Sequence, residues 1–128
     1  MAYKITIKST VDGELNEIVA YGDVFNEYGS TVIEFTDEVT GNYSKIVIGE
    51  DMVSIIKEGE INTVFLFERG KTTFSELFTE YGEIPVETHT TDIVQDSTED
   101  SVMLKLVYTS FTGGMSERFD VSVTALKL

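Results

Sequence analysis

The sequence contains no cysteine, and this absence removes disulfide scaffolds, thiolate nucleophiles and cysteine-ligated zinc or iron–sulfur centres together. A chain of 128 residues is long enough to bury a core without such staples, so a reducing compartment is its natural home. There is one proline, Pro85, and no Gly/Ser-rich, glutamine-rich or charge-block segment. Residues 1–128 therefore read as a single domain with no linker. No stretch approaches the roughly 20 apolar residues that span a bilayer as a helix. The amino-terminal Tyr3-Lys4-Ile5-Thr6-Ile7 alternates polar and apolar residues where a signal peptide needs a continuous apolar stretch. A cytoplasmic location is the expectation.

Basic residues are also scarce. Nine Lys and Arg stand against 23 Asp and Glu, for a formal charge of −14. Proteins that bind duplexes or anionic membranes replace counterions with lysine and arginine. Arg69-Gly70-Lys71 and the isolated Arg118 are too sparse for that, so neither nucleic acid nor membrane is expected as a partner. Scattered acidity of this kind serves solubility.

What the sequence has in quantity is turn glycine and strand-forming side chains. Turn signals recur at Asp12-Gly13, Tyr28-Gly29, Thr40-Gly41-Asn42, Glu58-Gly59-Glu60, Arg69-Gly70-Lys71, Tyr81-Gly82 and Gly113-Gly114, a spacing that marks antiparallel strands joined by hairpins. Between them, Ile, Val, Thr, Phe and Tyr alternate with period two. Val102, Leu104, Leu106 and Tyr108 share one face, as do Phe119, Val121, Val123 and Ala125, or Tyr3, Ile5 and Ile7. Phe65-Leu66-Phe67 and Val53-Ser54-Ile55-Ile56 are apolar on both sides, which requires cover on both faces or a contact with a partner. About 8–10 short strands in series favour an all-β, antiparallel up-and-down barrel, because closure removes exposed edges. Gln95 to Asp100 reads as an acidic loop.

One segment dissents. In Thr73–Gly82 the apolar residues recur at helical spacing, Thr73 with Glu76 makes a capping-box pattern, and Gly82 is placed to end a helix. Local signals thus describe a short helix inside a chain whose flanks are β throughout.

The run from Ile48-Gly49-Glu50-Asp51-Met52 to Gly59-Glu60, followed by Phe67-Glu68-Arg69-Gly70-Lys71-Thr72-Thr73 and Tyr81-Gly82-Glu83-Ile84-Pro85-Val86-Glu87-Thr88-His89-Thr90, resembles the signature of the YwiB-like family of small bacterial proteins. The resemblance covers essentially the whole chain. It implies a calycin-like, lipocalin-resembling β-barrel in which residues 73–82 form a strand running into the Tyr81-Gly82 turn. The position of Lys57 is more often arginine in that family, a departure that weakens any role requiring a bidentate guanidinium there. The family brings no established activity, cofactor or catalytic residue.

Few constellations carry chemistry. His89 is the only histidine, and alternation sets it on one face with Glu87 and Thr91, opposite Val86, Thr88 and Thr90. No nucleophile stands beside it, so catalysis is not expected. The Asp96–Asp100 run lacks the glycine and ligand ladder of a calcium loop, and no metal or cofactor is expected. A barrel of this size either fills its interior or holds one small ligand. The leading expectation is a non-enzymatic barrel binding a small apolar or amphipathic ligand inside, with Tyr21, Phe67, Glu87, Thr88, His89, Tyr108 and Phe119 as the candidate contacts. The rival is a protein-interaction or homodimer module with a filled core.

Overall fold

The structure is a computed structural model and describes residues 2–128. Ten strands follow one another: β1 (Tyr3–Val11), β2 (Glu14–Glu27), β3 (Ser30–Thr36), β4 (Tyr43–Ile48), β5 (Met52–Glu58), β6 (Asn62–Glu68), β7 (Thr72–Thr79), β8 (Gly82–Ser97), β9 (Ser101–Thr112) and β10 (Met115–Lys127). Each pairs antiparallel with its sequence neighbour, and β1 pairs with β10 to close the barrel. The up-and-down expectation holds, at the upper end of the strand count. Tight turns make the meander possible. Asp12 and Gly13, like Tyr28 and Gly29, both have positive φ, the conformation whose twist matches a two-residue hairpin.

Residues 73–82 are β, as the family resemblance implied and as the local helix signals did not. β7 pairs along its whole length with β8, from Thr72 opposite His89 to Thr79 opposite Gly82. That ladder outweighs a helix two turns long, which is marginal alone. Leu77 falls on the inner side, while Phe74 and Phe78 face outward. The acidic run 95–100 is also partly strand: β8 continues to Ser97 and only residues 98–100 form the turn.

Alternation sorts the side chains. Ile5, Ile33, Ile46, Val53, Phe67, Ile93, Leu104, Val123 and Ala125 are buried against one another in a shared interior. Each large apolar side chain so enclosed contributes about 1.5–3 kcal/mol. In such a meander the turns alternate between two ends. Residues 12–13, 37–42, 59–61, 80–81 and 113–114 lie at one, and residues 28–29, 49–51, 69–71 and 98–100 at the other. The solid core lies toward the second end. There the Gln95 amide donates to the carbonyls of Gly49 and, at 3.1 Å, Glu50. Arg69 meets Asp51 at 3.0 Å and donates to the Ile93 carbonyl, beside the register shift between Thr90 and Asp92.

The wall is uneven. β6 and β7 share only two rungs, Asn62 with Phe78 and Thr63 with Leu77. Beyond them, threonine side chains bridge what the backbone does not: the Thr63 hydroxyl donates to the Glu76 carbonyl at 3.0 Å, and that of Thr73 to the Leu66 carbonyl. Elsewhere the strands approach so closely that a side chain is excluded. A Cβ at Gly22 would collide with the Glu34 carbonyl oxygen and lie 2.8 Å from the Phe35 Cβ. Gly22→Ala is therefore expected to lower stability by about 1–3 kcal/mol through forced separation of β2 and β3, measured as a shift of the urea midpoint at unchanged slope.

Candidate functional site

Toward the first end the interior is hollow. A chamber of about 600 Å³ is lined by Ile7, Ile18, Phe35, Ile55, Phe65, Leu77, Leu106, Tyr108, Phe119 and Val121, with polar groups from Ser9, Asn16, Asn42, Ser44, Lys57 and Thr63. An aromatic run forms much of the wall. Phe67 and Tyr108 have ring centroids 4.6 Å apart, and Tyr108 stacks on Phe119 at 4.9 Å with ring planes 9° apart. Such pairs are worth about 0.5–1.5 kcal/mol beyond the area they bury. Burial pushes the Tyr108 phenol up to about 12, because the phenolate would lose water without gaining a partner.

Outside the wall lies a second concavity of about 1120 Å³, bordered by Ile56, Val64, Phe74, Phe78, Pro85 and Phe111. It follows the sparsely paired β6–β7 seam. Lys57 and Thr63 line both spaces, so the chamber and the outer groove meet at these two side chains. Glu58, Glu76 and Glu87 line the groove. Glu83 is held above the usual carboxylate range by its hydrogen bond to Glu76 and by that neighbour's charge.

The candidates named from sequence separate by face. Tyr108 and Phe119 line the chamber, and Phe67 packs behind Tyr108 in the core. Thr88 points inward but is sealed in the wall, away from the hollow. Tyr21, Glu87 and His89 are corrections: all three lie on the outside. Tyr21 pairs with Lys4, between inward-facing Ala20 and Gly22, and is 58% exposed. Period-two alternation prevents Glu87 and His89 from sharing a face with Thr88. His89 contacts the Thr72 hydroxyl through Nδ1 at 3.2 Å, and among the described residues no carboxylate bonds its ring. The residue missed is Lys57. Its signal was present, since it continues the inward series Val53, Ile55.

A closed, ten-stranded up-and-down barrel, solid at one end and hollow at the other, is the class that the fold and chamber define. The chain belongs to the family described as "Domain of unknown function (DUF1934)", whose model matches residues 2–119. Among solved structures it is similar to the ywiB protein from Bacillus subtilis, at 19% identity and a TM-score of 0.90, over 99% of this chain and 92% of that one. At that identity the likeness shows the fold alone. No curated protein matches the chain.

Two outcomes follow from the wall chemistry. An unfolded tyrosine ionises near 10.0 whereas folded Tyr108 holds its proton to about 12, so the folded state binds more protons between those values and stability falls as pH rises through that window. Tyr108→Phe should make this decline shallower and remove phenolate absorbance from the step near 12. The Thr90 hydroxyl is fully buried without a hydrogen-bond partner. Thr90→Val should therefore raise stability by roughly 1 kcal/mol, read by urea unfolding.

Proposed function

We propose that this protein is a binding barrel that takes a small, mostly apolar guest into the chamber, without chemistry performed on it. The observation that supports the reading is the hollow itself. At about 600 Å³ it lies well inside the range of about 300–1,000 Å³ typical of small-molecule sites. Its lining is largely aliphatic and aromatic, with few polar groups to fix orientation. A cytoplasmic, calycin-like carrier or sensor of such a molecule is consistent with the acidic, cysteine-free composition.

A second reading is self-association through the outer wall, favoured by the exposed Val64, Phe74, Phe78 and Phe111. Light scattering addresses it: a monomer at all concentrations removes this reading and leaves the first intact.

For the chamber, native mass spectrometry of gently purified protein is expected to show a retained guest. Ile55→Trp, which projects a larger ring into the hollow, should weaken uptake of an environment-sensitive apolar dye about tenfold or more, with the circular dichroism spectrum unchanged. Phe74→Ser on the outer wall should leave dye uptake as it was. Equal loss in both variants, or no uptake by the parent protein, would count against an interior site.

A further inference from the structure

Lys57 stands on the inward face of β5 at the hollow end of the barrel. β5 presents Val53, Ile55 and then Lys57 to the inside, and on its two flanking rungs Lys57 faces the short side chains of Ser44 and Thr63. The chamber is otherwise mostly apolar. Among its described lining residues, Lys57 is the one cation and Asp37 the one acid. Asp37 is already engaged, its carboxylate accepting from the Val39 N–H at 2.9 Å and the Thr40 N–H at 3.5 Å to hold the 37–42 loop. Glu58, the next residue, falls on the outer face opposite Tyr43. No described carboxylate stands within ion-pair distance of the Lys57 ammonium.

The lysine keeps access to solvent, yet the protein packed around it lowers its pKa below the ordinary value. Lys57 is exposed and its ammonium has no counter-charge among the described residues, so it is free to meet an arriving anion. Its place is also where a headgroup would be wanted. Because Lys57 lines both the chamber and the outer groove, an anion beside it remains reachable from water while an attached apolar body lies inside. The Thr63 hydroxyl donates to the Glu76 carbonyl, so the lysine is the charged donor left at that junction. The surrounding field opposes an anion. A chain of net charge −14 repels anions at long range, so an acidic guest must be held by a local contact.

We propose that the chamber's guest is an organic carboxylate with an apolar body, seated with its carboxylate on the Lys57 ammonium at the junction with the β6–β7 groove and its body among Ile55, Phe65, Leu106 and Tyr108. This rests on the interior-binding reading and adds the charge of the headgroup to it.

Three probes with the same tail separate the two: decanoate, decanol and decylammonium, each titrated by dye displacement and by calorimetry. In the parent protein decanoate is expected to bind about tenfold more tightly than decanol, the scale of one charge-assisted hydrogen bond, and decylammonium more weakly than both. Lys57→Met should abolish the preference for decanoate while leaving decanol affinity within about twofold, and Lys57→Arg should retain it. Equal binding of decanoate and decanol by the parent protein overturns the carboxylate assignment and leaves interior binding standing. A preference for decylammonium overturns it as well and assigns control to the acidic rim. If no probe binds, the interior reading fails and the carboxylate with it. A preference that survives in Lys57→Met removes the lysine from the role.

Discussion

The ladder that joins β1 to β10, running from Tyr3 opposite Lys127 to Val11 opposite Phe119, ties the two ends of the chain into one wall and removes the free edges that a ten-stranded meander would expose. Closure makes inside and outside distinct. Without it, the alternation of apolar and polar residues along each strand would describe one wet and one dry sheet face with nothing to cover the dry one. With it, each inward residue meets inward residues from across the barrel. The pairings of β10 with β9 and of β1 with β2 are comparably long, so the closing strand is held on both sides.

Closure also sets where the wall is thin. Most of the perimeter is continuously laddered, but β6 and β7 share two rungs and rely on threonine hydroxyls for much of the rest. Past the seam the chain returns directly to β8: the Gly70 N–H donates to the Thr90 carbonyl at 2.8 Å and the Thr90 N–H to the Lys71 carbonyl at 3.1 Å. The seam is thus clasped at the core end by the 69–71 turn and Arg69 and at the hollow end by its two backbone rungs, and is least firmly held between them, where residues 64–68 run beside residues 72–76 without a backbone ladder. Local opening tends to occur where backbone pairing is sparse. The outer groove and the inner chamber come together at Lys57 and Thr63, beside the laddered end of this seam.

Some of this was legible beforehand. The turn glycines and the alternating faces of β1, β9 and β10 read correctly because each strand's burial depends on its own period-two pattern. β7 misled on local signals, since Thr73, Glu76 and Gly82 satisfy helix-end rules equally well and only pairing with β8 decides between them. Tyr21, Glu87 and His89 were grouped with inward residues by their chemistry. Alternation within their own strands excluded them: Ala20 and Gly22 flank Tyr21, and Thr88 separates Glu87 from His89. Lys57, weighed from the sequence only for a guanidinium role, was left out of the interior contacts for the opposite reason, because a charge is ordinarily assigned to water whatever face its position implies.

By itself the sequence determined the class of fold, the turn positions and the face of most side chains, because these depend on φ preferences and on a two-residue repeat that neighbouring residues settle between themselves. Tertiary structure alone decided that the barrel is solid at one end and hollow at the other, and that an outer groove meets the chamber at Lys57 and Thr63. Cavity volume and strand separation depend on side chains from all ten strands at once, and no local pattern along the chain encodes their sum.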